Sequence, residues 1–565
     1  MARRVLVCVL TAAALATIPL AADSAGRGGG AERLARIQHI VVIYEENHSF
    51  DNLYGSWEGV NGVANADPAT TVQVNQNGAP FTCLKQNDPN LTTPPLLATC
   101  TDTTLSTPAA ASTFTSHFVN APFTIDDYVL PTALTCPNGV AGGQPGGCTR
   151  DLVHRFYQEQ YQLNGGRQNR YVTGSDAMGL TMGTYDTRML PIYTYLHSPD
   201  HPHYAIADSF FQAAFGGSFL NHQWLIAADT PSWPDAVHDG TANDLHSVVD
   251  SNGMPVTYGL YKATAPVKDL QLTAPCATAP AGVVCGDYAV NTIQPRYQPF
   301  SPGTAFAKQL PPLMQTTIGD RLNDAGIDWA WYSGGWSNAN GDVDGPGWTN
   351  GSGPLCSDPN AFGTAVWPNC PDKLFQFHHQ PFNYYAAFDP NTAAGRNQRA
   401  AHLRDEAEFV QTLQSASGGC ALKPVSFVKP VGAENEHPGY ASESNGSYHL
   451  VNLLKALDES ACAKDTLVIV TYDEFGGAWD HVSPPGQGTA GVHDEWGPGT
   501  RIPALVISPF LRGDFVVDHA SHDTTSVLAT IERRFGLAPL TSRDAAVLDL
   551  STVYDAKDPF DNDDR

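Results

Sequence analysis

The chain has 565 residues, of which 42% are hydrophobic, 10% aromatic and 16% charged, so it can bury a large core and is not a disordered protein. Its 31 basic and 57 acidic residues give a formal charge of −26. This charge disfavours nucleic acid and anionic membrane surfaces as partners, because both attract basic proteins.

The first 25 residues have the layout of a secretory signal peptide. Arg3 and Arg4 precede an apolar run that reaches Ala22, and small residues follow it. An N-terminal membrane anchor is the alternative. We expect cleavage and a secreted or periplasmic location without stable membrane insertion, since no other stretch is apolar over the length of a membrane helix.

Six short β-rich runs follow along the chain, and several are apolar almost throughout, as in strands buried on both faces of a parallel sheet. Helical patterns separate them, notably over residues 450–457 and 527–535, the second ending at Gly536. This alternation predicts an α/β fold with a central, mostly parallel sheet and helices on both faces. The runs are residues 40–44, 204–207, 328–332, 425–428, 466–472 and 502–508.

Three stretches rich in Thr, Pro, Asn and Gly interrupt the alternation, near residues 60–150, 230–310 and 335–375. We interpret them as loop insertions on a single domain. Besides Cys8 in the leader, the cysteines fall in sequence-near couples, which predicts disulfides in an exported protein. Zinc binding is the alternative, but the chain has no C-x-x-C spacing. The couples are Cys83 with Cys100, Cys136 with Cys148, Cys276 with Cys285, Cys356 with Cys370, and Cys420 with Cys462.

Two predicted strands end in acidic clusters. Glu46 and Asn47 follow the run 40–44 closely, and Asp473 and Glu474 follow the run 466–472 directly. Open α/β sheets bind ligands at the carboxyl ends of their strands, and oxygen ligands from two strand ends suit a divalent metal ion. The alternative is a pair of solvated turns.

A glycine pair precedes Ser218 at the start of a predicted helix. The free N–H groups of such a helix start can bind an anion, although Ser218 could instead serve merely as a helix N-cap. Histidines in polar contexts could offset phosphate charge in so acidic a chain. The acidic neighbours of His437 predict an imidazolium there. The histidines are His154, His378, His379 and His437.

Three motifs in order resemble one family. Residues 46–51 read E-N-H-S-F-D, and residues 473–482 read D-E-F-G-G-A-W-D-H-V. They are similar to the E-N-R-S-F-D and D-E-x-G-G-x-x-D-H-V motifs of the bacterial phosphoesterases that include phosphocholine-preferring phospholipases C and respiratory-burst-inhibiting acid phosphatases. Residues 524–544 resemble the closing segment of that family.

The resemblance implies an alkaline phosphatase-like fold and a single phosphoesterase domain over residues 36–565 that hydrolyses phosphate esters of small molecules or phospholipids. It implies Ser218 as the nucleophile of the acid phosphatase branch, and we expect His437 to protonate the leaving alcohol. It places His154, His378 and His379 in the phosphate pocket. The implied metal ligands are Glu46, Asn47, Asp473 and Glu474.

Two alternatives stay open. The phospholipase branch usually has Thr at the position of Ser218, within a different local context, and a phospholipase C that cleaves phospholipid head groups is the first alternative. A non-catalytic binder of phosphorylated surface polymers is the second, and the full set of implied site residues argues against it.

Overall fold

The computed structural model describes residues 28–75, 78–86, 91, 96–104, 113–130, 149, 151–175, 179–233, 286, 288–351, 356–357, 366–367, 369–372, 374–415 and 418–560. The predicted signal peptide lies outside these residues. In the described part, no helix is both long and apolar enough to cross a membrane.

An eight-stranded sheet forms the centre of the molecule. Its strands, in chain order, are β1 (His39–Glu45), β2 (Tyr204–Ala207), β3 (Trp329–Ser333), β4 (Leu403–Asp405), β5 (Val425–Lys429), β6 (Thr466–Tyr472), β7 (Ala504–Ile507) and β8 (Phe515–Asp518). Their order across the sheet is β4-β3-β5-β1-β6-β7-β2-β8. Strand β7 runs antiparallel to both neighbours, and the other adjacent strands pair in parallel.

Strands β1, β3, β5 and β6 are buried along almost their whole length. Such continuous burial requires apolar side chains on both faces, which is why these strands are apolar rather than alternating in sequence. The predicted α/β class with a mostly parallel sheet is confirmed. All six predicted runs lie in the sheet, whereas β4 and β8 were not predicted.

Helices surround the sheet in two groups. Helix α11 (Glu443–Asp458) packs against α5 (Pro191–Leu196) and α10 (Glu406–Gln414). Helix α12 (Thr525–Phe535) packs against α6 (Ser218–Ala227) and α13 (Ser542–Ala546). Helix α11 buries its leucines and exposes Asn452 and Lys455, as its amphipathic pattern predicts. In chain order the helices are α1 (Gly28–Leu34), α2 (Phe50–Leu53), α3 (Pro68–Thr71), α4 (Phe156–Leu163), α5 (Pro191–Leu196), α6 (Ser218–Ala227), α7 (Ile318–Asp324), α8 (Trp336–Asn340), α9 (Ala393–His402), α10 (Glu406–Gln414), α11 (Glu443–Asp458), α12 (Thr525–Phe535) and α13 (Ser542–Ala546).

Two of the predicted disulfides are present, Cys83–Cys100 and Cys420–Cys462. Cys370 is also disulfide-bonded. The Cys136–Cys148 and Cys276–Cys285 couples lie outside the described residues. Short two-stranded pairings flank the sheet: Cys100–Asp102 with Phe114–Ser116, Phe123–Thr124 with Gly183–Thr184, Phe210–Phe211 with His522–Asp523, Gln294–Pro295 with Gln309–Leu310, and Cys356–Ser357 with Val366–Trp367.

Candidate active site

The acidic ends of β1 and β6 meet at one edge of the sheet. The two strands are paired in parallel with Glu45 opposite Tyr472, so the residues that follow each strand lie side by side. The backbone N–H of Asn47 donates to Asp473 Oδ1 at 3.1 Å. This pairing joins positions that are 426 residues apart in sequence.

Two glycines allow the chain to turn immediately after Asp473 and Glu474. Gly476 has φ of 62° and Gly477 has φ of 77°, values that favour glycine. A Cβ on Gly476 would lie 2.1 Å from the carbonyl oxygen of Asn47. Only glycine therefore fits beneath the first acidic loop.

Ser218 is the first residue of α6, and it is not the N-cap. The N-cap position belongs to Gly217, which has no side chain to cap the helix. The Ser218 hydroxyl instead donates to Glu46 Oε2 at 3.1 Å. The alternative that Ser218 merely caps the helix is therefore wrong.

The Asn221 side chain stabilises the turn that precedes Ser218. Its Oδ1 accepts from the N–H of Ala214 at 3.0 Å, and its Nδ2 donates to the carbonyls of Ala214 and Gly216. Gly216 has φ of 94°, and a Cβ there would lie 2.7 Å from the backbone nitrogen of Phe156. The double glycine thus lets the turn approach α4 closely.

Two residues that the sequence analysis did not single out also reach Glu46. His222 lies one helical turn after Ser218, and its Nε2 is 3.8 Å from Glu46 Oε1. Lys429, at the end of β5, forms a fully buried ion pair with the same oxygen. The spacing of four residues between Ser218 and His222 places both on one helix face, a signal that the sequence does contain.

The predicted histidines line a cavity of about 570 Å³ that has Ser218 in its wall. His154 Nε2 lies 3.5 Å from Glu474 Oε1, and His379 Nε2 lies 3.1 Å from Glu46 Oε1. The His379 ring stacks on that of His222 at 4.9 Å between centroids. The four cavity histidines are His154, His378, His379 and His437.

The imidazolium predicted at His437 is wrong. Its Nδ1 donates to the carbonyl of Pro438 at 2.8 Å, and its Nε2 lies 3.0 Å from Asn47 Nδ2. Burial, reinforced by the nearby His154, holds the pKa of His437 well below its ordinary value. Sequence neighbours do not set its charge, since the imidazole faces the cavity and not the adjacent acids. Burial likewise lowers the pKa of His378 to about 3.

Three carboxyl groups are crowded at the strand ends. Burial and the charge of Asp473 raise the pKa of both Glu46 and Glu474 well above the ordinary value. Burial also raises the pKa of Asp473 itself. An arrangement of adjacent buried acids is costly unless a cation compensates it.

Several buried atoms at this place make no hydrogen bond. Three of them are Asn47 Oδ1, Asp473 Oδ2 and Glu474 Oε1. Buried polar atoms normally have partners, and oxygen atoms of this kind are the ligands of hard and borderline divalent ions. The residues therefore fit a divalent metal ion. A neighbouring group of Glu46, His222 and His379 also has ligand atoms within 4.8 Å of one another.

The structure brings all nine predicted site residues to one place. A model of the family described as "Phosphoesterase family" matches residues 37–538. Phospholipase C B of Mycobacterium tuberculosis is 26% identical over 571 residues, which cover 96% of this chain and 82% of that protein. Phospholipase C A of the same organism is 24% identical over 601 residues, which cover 99% and 86%.

A solved structure described as a protein in the alkaline phosphatase superfamily from Vibrio parahaemolyticus is 14% identical, with a TM-score of 0.21. That alignment covers 45% of this chain and 56% of the other. An overlap of this size adds nothing to the strand order given above.

Proposed function

We propose that Ser218 is the nucleophile of this chain, which belongs to the phosphoesterase family and is a hydrolase acting on phosphoric ester bonds. One observation carries this proposal: the Ser218 hydroxyl is directed at the Glu46 carboxylate, at 3.1 Å, and caps no helix. A carboxylate in that position can accept the hydroxyl proton, which is how a serine becomes nucleophilic.

The reaction then proceeds in two displacements. Ser218 Oγ attacks phosphorus, its proton passes to Glu46, and the bond from phosphorus to the leaving oxygen breaks to give a phosphoserine. His437 lines the same cavity. The negative charge of the bound phosphate ester raises the lowered pKa of His437 and favours its protonated form, and this form gives a proton to the leaving alcohol. Water then attacks the phosphoserine and returns a proton to His437, and Ser218 recovers its proton from Glu46 as the phosphate leaves.

We propose Glu46, Asn47, Asp473 and Glu474 as ligands of a divalent metal ion of unassigned identity. The three oxygen atoms without hydrogen bonds support this set. When bound, the ion supplies Lewis-acid stabilisation of the charge that develops on the phosphoryl oxygens.

The other three histidines of the cavity bind the substrate phosphate in this proposal. His154 and His378 line the wall around Ser218, together with Arg155. His379 also lines the cavity and contacts Glu46. We propose that these three histidines bind the substrate phosphate, and the free N–H groups at the start of α6 add to this anion site.

Two substrate classes fit this chemistry. The Gly217-Ser218 context favours a phosphomonoesterase of the acid phosphatase type, as the sequence resemblance implies. The similarity to the two mycobacterial phospholipases C along nearly the whole chain favours a phospholipase C that acts on phospholipids. Export to a secreted or periplasmic location is consistent with both, because the Cys83–Cys100 and Cys420–Cys462 disulfides persist in oxidising compartments.

One experiment tests the mechanism and separates the substrate classes. Phosphate or phosphocholine release is measured on a soluble phosphomonoester and on phosphatidylcholine vesicles, with and without chelator. Acid-quenched turnover should trap phosphate on the peptide that contains Ser218, and chelator should abolish turnover. Phosphate trapped on another residue would overturn the nucleophile assignment without affecting the family.

Metal binding is tested by substitution of one proposed ligand. Glu474→Gln should remove most of the bound metal, because it keeps the shape of the side chain but removes a negative charge that the ion needs. Glu532→Gln is the matched control, since Glu532 is a buried acid on α12. Metal content by elemental analysis should fall in the first variant and stay unchanged in the second. Equal metal content in the two variants would exclude Glu474 as a ligand.

A further inference from the structure

Three oxygen atoms hold the Lys429 ammonium group beside Glu46. Its Nζ donates to the carbonyl of Tyr44 at 2.8 Å and to that of Glu45 at 3.3 Å, and it forms the ion pair with Glu46 Oε1. A lysine ammonium has three N–H donors, so these oxygens satisfy all of them. The side chain is fully buried and therefore stays in this position.

The sheet places Lys429 there. Strand β5 pairs with β1 in parallel, with Val428 opposite Ile43, and the next residue along β5 therefore comes beside Tyr44. The last residue of β5 thus projects a positive charge into the edge of the sheet where the acids of β1 begin.

Two imidazole nitrogens face the oxygen that Lys429 holds. His379 Nε2 is 3.1 Å and His222 Nε2 is 3.8 Å from Glu46 Oε1, and neither nitrogen makes a hydrogen bond. His222 Nδ1 donates to the carbonyl of Ser218 at 2.7 Å, so the lone pair of a neutral His222 is on Nε2. Both rings are buried.

One carboxylate oxygen and two imidazole nitrogens form a donor set that suits a borderline divalent ion such as Zn²⁺. Yet Lys429 already bonds to the same oxygen. Two cations that share one ligand atom inside a buried pocket repel each other strongly, because little water screens them. The lysine and a metal ion therefore compete for this place.

We propose that Lys429 takes the place of a second divalent cation, which the Glu46, His222 and His379 cluster would otherwise bind. The inference builds on the proposed function, in which Glu46, Asn47, Asp473 and Glu474 hold the first ion. Lys429 neutralises Glu46 on its Oε1 side and leaves Oε2 directed at Ser218. It is a positioning residue that touches neither the substrate nor the reacting atoms.

The test is the zinc content of purified variants. Lys429→Met removes the charge and keeps much of the length of the side chain, and Lys429→Arg retains a charge. Each protein is incubated with ZnCl₂ and freed of excess metal by gel filtration, and zinc per chain is measured by mass spectrometry. Lys429→Met should hold one zinc ion more than the wild type, and Lys429→Arg should match the wild type.

A double variant assigns the added ion to the cluster. Lys429→Met combined with His379→Ala should return to the wild-type zinc content, because the substitution removes one nitrogen ligand. If Lys429→Met holds no more zinc than the wild type, or if His379→Ala alone removes zinc from the wild type, the proposal is wrong.

A second measurement keeps the proposal testable if Lys429→Met folds poorly without metal. Because zinc replaces the lost charge, ZnCl₂ should raise its melting temperature well above any shift in the wild type, and an equal shift would overturn the proposal. A wild type without any bound metal, beside a Lys429→Met variant with one zinc ion, would support this inference and contradict the oxygen-ligand set of the proposed function.

Discussion

At the scale of single residues, two serines at helix starts show how differently one residue type is used. Ser442 is the N-cap of α11, and its hydroxyl oxygen accepts from the N–H of Asn445 at 3.1 Å. Ser218 lies one position further into α6, and its hydroxyl donates to a carboxylate. The first serine stabilises a helix, and the second is available for chemistry.

We expect Ser218→Ala to lower kcat by at least about a thousandfold, because loss of a nucleophile costs several orders of magnitude. Its free energy of unfolding should change by less than about 1 kcal/mol, since no helix cap is lost. The matched control is Ser442→Ala, which should lose about 1 kcal/mol of stability and retain its turnover. Chemical denaturation and initial rates compare the two variants. A Ser218→Ala enzyme within tenfold of the wild-type rate contradicts the mechanism.

His437→Asn should slow hydrolysis of an alkyl phosphate much more than hydrolysis of a nitrophenyl phosphate. An alkoxide is a poor leaving group that needs a proton, whereas nitrophenolate leaves without one. The cavity position of His437 beside Ser218 motivates this prediction. The measurement is the ratio of kcat/KM for the two substrates. If both fall by similar factors, His437 only binds phosphate, and His154 or His378 becomes the candidate acid.

Some residues of the candidate site could be recognised in the sequence, whereas Lys429 could not. The meeting of the two acidic clusters at one edge of the sheet could be predicted, because each cluster comes at the end of an apolar strand. Lys429 follows an apolar strand in the same way, yet a lone lysine at a strand end is usually a solvated residue. Its significance depends on which strand lies beside β5, and the sequence contains no signal for that neighbour.

At the scale of elements, the interior strands were easier to predict than the edges of the sheet. Strands β2 and β6 have the predicted bounds, because burial on both faces leaves a continuous apolar run. The edge strand β4 consists of Leu403, Arg404 and Asp405, which has no apolar pattern to recognise. The antiparallel direction of β7 could not be predicted either, because strand direction depends on how the connections cross the sheet and not on the strand residues.

Helices α10 and α11 are joined by a partly buried ion pair that makes stability depend on pH. His449 Nε2 lies 2.5 Å from Glu406 Oε1. Burial alone would lower the pKa of His449, but the charge of Glu406 and its hydrogen bond outweigh burial and raise this pKa to about 9. A raised folded-state pKa stabilises the protein fully below the unfolded value, about 6.5, and this contribution is lost as pH rises through about 9.

We therefore expect His449→Gln to lower the free energy of unfolding by roughly 2 kcal/mol at pH 6. The difference from the wild type should shrink between pH 6.5 and pH 9 and vanish above that range. His402→Gln is the control, because burial lowers the pKa of His402. Above about pH 7.5 this histidine is neutral in both the folded and the unfolded chain, and the effect of its substitution should be constant there. Denaturation curves at several pH values check both variants. A constant difference for His449→Gln would show that the pair is not ionised.

At the scale of the whole molecule, a disulfide links the segments that precede two central strands, at the end of the sheet opposite the candidate site. Cys420 precedes β5 and Cys462 precedes β6, and β1 lies between those two strands. Since the side chains of the site follow the carboxyl ends of the strands, this disulfide constrains the sheet from its other end.

Replacing both cysteines, as Cys420→Ala with Cys462→Ala, should cost about 4 kcal/mol of stability for a loop of this length. Turnover at 25 °C should be retained, because the site lies at the far edge. The comparison variant lacks Cys83 and Cys100, a disulfide that lies between β1 and β2 in the sequence. Denaturation midpoints and rates are measured for both. Loss of turnover in a variant that is still fully folded would mean that the disulfide shapes the site itself.

The position of β1 between β5 and β6 has a consequence for the order of biosynthesis. The first strand of the sheet leaves the ribosome early, but both of its neighbours belong to the last third of the chain. Contacts over such separations form late and slowly. The acids that follow β1 cannot contact those that follow β6 until synthesis has passed residue 474. A shorter nascent chain therefore has no assembled site. The same order leaves an apolar strand without partners throughout elongation, a period in which it is prone to aggregate and in need of a chaperone.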